Sequence, residues 1–464
     1  MLGLLLTGLA IYQFIFTRNY YCSLLIFFGL ITNGFQLIPA SILMAASPVD
    51  KLTDLALLYI VVLLFYRFDT LQNVIRREGV FKWVAAFVIF VLADAFYSCV
   101  VLDYSFSGVL KVLRANLFLL SFGVFFIVPT HVLIRVMRTV CAITVVLCVI
   151  FLIQIPLKTS FLAAQAAGSE AITHDIEGFG FTRFYNTPVY LTPVFFYYLF
   201  VHQFRSKMMQ VSVVGILVLT VVAPMHRSYI ITLFFVIVLY VLVTQRNKRT
   251  MYLSAISVVA YLVSLIDVVS YRINEAFTDL GRTLSGSMVL GQMDYSDNTL
   301  TFRIAHLLER FQYIMSLPLG WLFGIGLLGE DTKQANKLPF EVGIFQERYD
   351  RVAQIETGDI PWSMLLLQVG LVGAIFYTIV LVMLAKHFYK RKATLYSVAG
   401  LLWVTEALLA SMLGVEMILI PFRVFMLFIA VIATKASGTI PSIVFPAEPP
   451  VQKTNYSSFE TIPV

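Results

Sequence analysis

What most constrains this chain is the recurrence of apolar runs about as long as a lipid bilayer is thick. A helix needs roughly 17–25 apolar residues to cross the hydrocarbon. Runs near that length lie at residues 2–16, 21–45, 52–65, 83–101, 109–128 and 139–155. Others follow at 187–201, 211–222, 229–243, 253–269, 360–386, 395–413 and 418–432. Lipid offers no partner for backbone N–H and C=O groups, so such runs satisfy them internally, as helices. The expectation is an all-α polytopic membrane protein of about 12–13 transmembrane helices. Of the 464 residues 59% are hydrophobic and only 13% charged, and no water-soluble domain of that size hides so much apolar surface.

Loop charge sets the expected orientation. Basic residues concentrate at 67–82, 131–138, 205–207, 246–249 and 386–392. If the runs alternate, these short loops share one side, and by the positive-inside rule that side is the cytoplasm. The net charge of +7 then needs no nucleic acid to explain it. The chain divides into N-terminal spans (1–157), a first extracytoplasmic loop (158–186), central spans (187–269), a large extracytoplasmic loop (270–359), C-terminal spans (360–435) and a proline-rich cytoplasmic tail expected to be disordered (436–464). The apolar N-terminus reads as a first span rather than a cleaved signal. Cys22, Cys99, Cys141 and Cys148 show no metal or disulfide spacing and read as small core hydrophobes. No Walker-type loop and no dinucleotide fingerprint occurs, which argues against a nucleotide-driven pump.

Charges inside apolar runs are costly and suggest either pairing or function. Asp94 and Arg114 lie at similar depth and are expected to pair, with Lys111 and Arg114 as an alternative anion-binding face. Glu406 and Arg423 are expected to form an ion pair that clamps the last two spans. Asp267 reads as interfacial.

Three segments carry sharper signals. Residues 301–329 place Arg303, His306 and Arg310 on one helical face and Ile304, Leu307, Leu308, Phe311, Ile314 and Met315 on the other. Pro318 stops the helix, and a turn follows through Gly320, Gly324, Gly326 and Gly329. An amphipathic helix with a cationic stripe at a membrane surface suits an anion, although a solvated face would look the same. Residues 178–193 contain Arg183, Asn186 and Pro188 just before a span, preceded by Asp175 and Glu177. Residues 223–235 place His226 and Arg227 at the start of another. Three arginines from separate segments at one membrane face could converge on a diphosphate. Guanidinium stays charged and binds phosphate oxygens in a bidentate fork. Trp321, Phe340 and Phe345 read as loop core rather than a sugar platform.

These motifs together resemble the O-antigen polymerase and O-antigen ligase superfamily of bacterial envelope enzymes. The matching elements are Arg183 with Asn186 and Pro188, the Arg227-Ser228 dipeptide, and Arg303 followed by Pro318 and Gly324-x-Gly326. The last is Gly358-Asp359-Ile360 followed by the run to Gly373. The resemblance spans about residues 178–383. It implies a metal-independent, GT-C-like glycosyltransferase of the bacterial cytoplasmic (inner) membrane, with no cofactor. Its donor and acceptor would be polyprenyl diphosphate-linked glycans, with a chain-length regulator allowed for as a further partner. Arg183, Arg227 and Arg303 would bind the diphosphate, with Arg114 and Arg310 as further candidates. Arg303 and Arg227 would act in catalysis beside Asp359 as base, and Glu177, Asp175 and Glu309 stand in reserve. The family's ligases carry a histidine where this chain has Asp359, a departure that favours polymerisation of repeat units over ligation to lipid A-core. A flippase for lipid-linked glycans is the further alternative, but the sequence shows no inverted repeat and no paired broken helices.

Overall fold

The computed structural model describes residues 1–45, 51–163, 173–176, 181–224, 227–244, 249–265, 267–286, 299–346, 350–355, 360–411, 414 and 416–438. The N-terminal part comprises α1 (Leu2–Ile15), α2 (Tyr20–Ile31), α3 (Ala40–Met44), α4 (Leu52–Tyr66), α5 (Phe68–Arg77), α6 (Gly79–Val100), α7 (Phe106–Leu117), α8 (Ser121–Ile127) and α9 (Thr130–Leu157). A two-stranded antiparallel ribbon follows, β1 (Thr173–Ile176) and β2 (Phe181–Phe184), with His174 opposite Arg183. Then come α10 (Leu191–Phe196), α11 (Lys207–Val222), α12 (Arg227–Thr244), α13 (Arg249–Ser264), α14 (Asp267–Ser285), α15 (Thr299–Ser316) and α16 (Gly320–Phe323). A small ribbon, β3 (Phe345–Gln346) with β4 (Arg351–Val352), precedes α17 (Pro361–Lys390), α18 (Leu395–Ala410) and α19 (Ile420–Ala436).

The molecule is almost wholly helical. Among the described residues four helical stretches are long and apolar enough to cross a membrane: Gly79–Val100, Phe106–Ile127, Thr130–Leu157 and Pro361–Lys390. Seven further apolar helices are shorter, at 10–17 residues. Several apolar runs are shorter as helices than as sequence, because an apolar run continues through turns that end a helix. The run at 21–45 is one such case. It forms α2, then a tight turn with positive φ at Asn33, Gly34, Phe35 and Gln36, then α3. The run expected at 253–269 breaks where α13 ends and α14 begins, and α13 is not among the apolar helices. The tail beyond residue 438 lies outside the described residues.

α19 is the hub. Every residue from Phe422 to Thr434 is buried, the signature of a helix apolar all round and enclosed by others. α8, α9 and α18 pack against it, and the stack of Tyr190 on Phe425 (4.4 Å between ring centroids) brings in the chain just before α10.

α17 is the helix whose interruption shapes the rest. Its backbone leaves helical geometry at Gly370, with φ 69° and ψ 179°. The glycine turn after α16 fills that break. Ile325 N–H donates to Leu367 O at 2.8 Å, taking up a carbonyl released there. A Cβ on Gly324 would stand 2.1 Å from Leu367 O, and one on Gly370 2.7 Å from Gly324 N. Two backbones thus meet with no room for any side chain. α6 and the segment after it receive the far side of the hairpin: Leu327 N–H donates to Ser98 Oγ (2.9 Å) and Tyr104 Oη donates to Ile325 O (3.0 Å). Gln368 Nε2 closes the ring onto Leu328 O (3.1 Å). Irregular backbone is tolerated at this depth because protein, not lipid, surrounds it.

Two expected ion pairs are absent. Arg114 bonds Asp54 of α4 at 2.6 Å, not Asp94. Asp94 lies one turn before Ser98 on the α6 face that receives the hairpin, and both its carboxylate oxygens are buried with no partner among the described residues. Arg423 donates to Asn116 Oδ1 (2.9 Å) and lies over the Tyr377 ring, whereas Glu406 accepts from Thr232 of α12 (3.1 Å). The side chains point to different neighbours, so similar depth did not mean contact.

The glycine seat yields a direct test. Gly324→Ala or Gly370→Ala forces both a backbone clash and a positive φ on a residue with a Cβ, costing at least about 3 kcal/mol. Thermal unfolding in detergent should show a large fall in midpoint for either variant. Gly8→Ala and Gly215→Ala, which meet nothing within 4 Å, should leave it level or raised.

Candidate functional site

The amphipathic stretch does form a helix, α15, ending at Ser316 just before Pro318. Its cationic stripe, however, does not lie open. Thr301, Ala305, His306, Arg310 and Ile314 are the buried positions, while Phe311 and Met315 of the supposed apolar face are exposed. The stripe packs inward because two partners cover it, the first turn of α17 and the loop at 330–355.

Arg310 shows what the loop does. It is 0% exposed. Its Nη1 donates to Glu309 Oε2 and Val342 O, each at 2.5 Å, and its Nη2 to Ala353 O at 3.3 Å. Its guanidinium lies 4.3 Å from the Phe340 ring. Burial pulls its pKa down to about 10, partly offset by Glu309 and Glu330, so it remains a cation at neutral pH. With its Nη donors on loop groups, Arg310 is a tie-post for the loop, not a surface anion binder. Glu309 is occupied in the same way, accepting from the N–H groups of Glu341 (2.8 Å) and Val342 (3.2 Å).

Glu330 completes this cage. It is almost fully buried and accepts from Gln354 N–H (3.1 Å), Ile355 N–H (2.6 Å) and Arg351 Nη2 (3.0 Å). Gln354 in turn brackets Phe340, accepting from its N–H and donating to its C=O, both at 3.0 Å. Of the three aromatics expected in the loop core only Phe340 is buried; Trp321 and Phe345 are 48% and 57% exposed.

His306 meets the other partner. It is 1% exposed, and its Nδ1 lies 2.9 Å from Ser363 Oγ in the first turn of α17. Burial first, then the nearby Arg310 charge, pushes its pKa down to about 3, so the imidazole is neutral across the physiological range. Among the described residues Nε2 has no hydrogen-bond partner. Arg303, part-buried, stands three residues earlier on the same side of α15.

Element packing shows which candidates come together. α15 lies against α17, and α12 against α18. Trp362 Nε1 donates to Ser411 Oγ at 3.0 Å, joining the start of α17 to the end of α18. α14 touches both α12 and α15, with Thr283 and Thr301 bonded at 2.9 Å. α12, which starts at Arg227, is thus linked to α15 through α14 and to α17 through α18. Asp359 immediately precedes Ile360, the cap of α17, but lies outside the described residues, as do Glu177 and His226.

Arg183 lies in β2, opposite His174. β2 packs on α9 through Phe184, which is buried with Leu147, Phe151 and Leu162. Asn186 fixes the strand's exit: it accepts from Gln154 Nε2 (2.8 Å) and donates to Ser160 Oγ (2.9 Å) and Leu162 O (2.6 Å). Asn186 is thus an anchor. Asp175 is in β1 opposite Thr182. Lys111 and Arg114 are each within 2.6 Å of a carboxylate, that of Asp331 and Asp54 respectively. They do not form a shared anion-binding face.

Several positions went unnoticed in the sequence. Ser363, Glu330 and Gln354 gave no motif. Gln36, fully buried, bonds Ala163 O, Thr187 O and Val189 N–H at 3.2, 3.1 and 2.7 Å and ties the segment before α10 to the turn after α2. The break in α17 had a signal, since an interior glycine in a long apolar helix asks for a reason.

No protein-family model and no curated protein matches the chain.

Glu330→Gln should open the cage, because it removes the charge from three charge-assisted bonds. Hydrogen exchange of the Gln354 and Ile355 amides is expected to rise about tenfold or more. Unchanged exchange there would show that Glu330 does not hold the loop.

Proposed function

We propose that this protein polymerises lipid-linked oligosaccharide repeat units of an O-antigen or exopolysaccharide type. It transfers a glycan from a polyprenyl diphosphate to a sugar hydroxyl of a second lipid-linked unit, at the outer face of the bacterial inner membrane. What supports this most is the packing that links α12, which starts at Arg227, to α15, which carries Arg303, and to α17, which begins just after Asp359. These are separate motifs of the resemblance, and they are far apart in sequence.

The chemistry follows from the residue types. Breaking the sugar–diphosphate bond builds negative charge on the leaving group. Arg303 and Arg227, fixed on helices, stabilise that charge without reorganising. Arg183 would join them from the β1–β2 ribbon. The attacking hydroxyl loses its proton to Asp359, a contribution of roughly 10²–10⁴-fold. The new glycosidic bond forms as the old carbon–oxygen bond to the diphosphate breaks. The buried cage around Arg310 and Glu330 then serves as the rigid wall of the site. Aspartate at position 359, where the ligases of the resembling family have histidine, favours a lipid-linked acceptor over lipid A-core.

One observation favours a second reading. α17 is broken, and a hairpin enters the break; transporters build substrate sites from such discontinuous helices. A flippase for the same lipid-linked glycan would use these residues to carry the diphosphate rather than to cleave it.

The full chain, reconstituted in vesicles with a lipid-linked repeat unit, separates the two. Glycan chains of several repeats are expected; a change of sidedness without elongation would favour the flippase and overturn the polymerase. Arg303→Lys keeps the charge and loses the fork, so elongation should fall about 10²-fold. Asp359→Asn should fall by 10²–10⁴-fold with donor binding retained. Full-length glycan from either variant would remove that residue from the mechanism.

A further inference from the structure

The hydrogen count at His306 is incomplete in a way that points to a ligand. His306 is buried, and burial together with Arg310 keeps the ring neutral. A neutral imidazole has one N–H and one bare nitrogen. Its Nδ1 lies 2.9 Å from Ser363 Oγ, and among the described residues Ser363 Oγ has no other acceptor for its hydrogen. If Nδ1 carried the proton, the Ser363 hydroxyl hydrogen would be left without an acceptor among the described residues. If Ser363 donates to a bare Nδ1, that contact is complete, and the proton sits on Nε2. Nε2 is the buried nitrogen with no partner. A buried donor left unpaired is costly, and native proteins keep one only for a reason.

The surroundings fix what that donor suits. Arg303 precedes His306 by three residues on the same side of α15. Ser363 belongs to the leading turn of α17, whose first N–H groups have no intrahelical partners and whose dipole is positive at that end. A bare nitrogen here would repel an anion; an N–H welcomes one.

We infer that His306 is a neutral hydrogen-bond donor to an oxygen of the bound diphosphate, held in its Nε2–H form by the Ser363 hydroxyl. This rests on the proposed use of these helices as a diphosphate site and adds a ligand to it. His306 binds through Nε2–H, and Ser363 is a positioning residue that sets the tautomer. His306 is not the base: with Nε2 protonated, it has no lone pair to offer the attacking hydroxyl. The site therefore combines a charged fork with an uncharged donor, and the bound anion keeps its proton-free state without a proton exchanged with the protein.

The test uses the full chain in phosphatidylcholine nanodiscs with undecaprenyl diphosphate as probe, and undecaprenol and phosphatidylglycerol as comparators. Nitrogen-15 NMR of labelled histidine reads the wild-type tautomer directly. The Nε2–H form is expected at His306, with its resonance moving on addition of the diphosphate and not of either comparator. An imidazolium, an Nδ1–H form or an unmoved signal would overturn the inference. Two variants read the same point by affinity. In His306→Gln the longer amide can place a donor where Nε2–H stands, and binding should stay within about threefold of wild type. The shorter amide of His306→Asn reaches only Ser363, and binding should weaken about tenfold, the worth of one hydrogen bond to a charged group. Equal losses in the two, or a milder loss in His306→Asn, would mark the residue as structural and overturn the inference. If wild type elongates glycan but fails these tests, only the role of His306 falls. If it does not distinguish undecaprenyl diphosphate from undecaprenol, the diphosphate reading falls and the inference with it.

Discussion

The seat of the glycine turn in the broken α17 is the constraint on which the rest depends. Gly324 and Gly370 let two backbones touch, and the Ile325 N–H takes the Leu367 carbonyl that the break sets free. Without that exchange a carbonyl would stand unpaired deep among apolar side chains, at a cost of several kcal/mol. The exchange also fixes a direction. It joins the chain after α15 to the middle of α17, and so sets how the first turns of α17 meet α15. The contacts of Ser363 with His306 and of Trp362 with Ser411 are consequences of that placement.

Polar chemistry is arranged around this seat in two ways. The described residues of the loop at 330–355 answer most of the polar groups buried with them. Glu330, Arg351, Gln354, Glu309 and Arg310 answer each other or the backbone, and a buried cation is tolerated because charged and carbonyl oxygens surround it. The helices below carry groups that are not answered: Asp94 with both carboxylate oxygens, Glu406 with Oε2, and His306 with Nε2. Within the cage Arg310 Nε alone of these named groups is left over, whereas Asp94, Glu406 and His306 stand on helices against α17 or beside it. That division, a rigid wall beside open groups, is what a site for a charged substrate needs.

Much of this was legible in the sequence, and the rest was hidden for physical reasons. The helical class follows from apolar runs, because lipid permits little else. The end of α15 was legible in Pro318, and the turn after it in four glycines. The number of long helices was not, because hydropathy does not register a turn such as Asn33–Gln36, made of residues that take positive φ within an apolar run. The inward face of α15 was hidden because periodicity tells which residues share a side, not what covers that side. Arg310 was chosen for its charge, yet its neighbours are carbonyls supplied some 30 and 40 residues later. The pairs Asp94–Arg114 and Glu406–Arg423 failed because equal depth leaves the azimuth of each helix unspecified. Ser363 and Glu330 matter only through contacts across the fold, which no local motif encodes.

In the function proposed, guanidinium groups from distant segments, with a neutral imidazole beside them, take up the charge released when a glycan leaves its lipid carrier. An electron cryomicroscopy reconstruction of the protein in nanodiscs with undecaprenyl diphosphate tests it most directly. The diphosphate is expected at the first turn of α17, its oxygens within hydrogen-bond distance of Arg303, Arg227 and His306. A diphosphate resolved elsewhere, with those three side chains apart from it and from one another, would contradict the account.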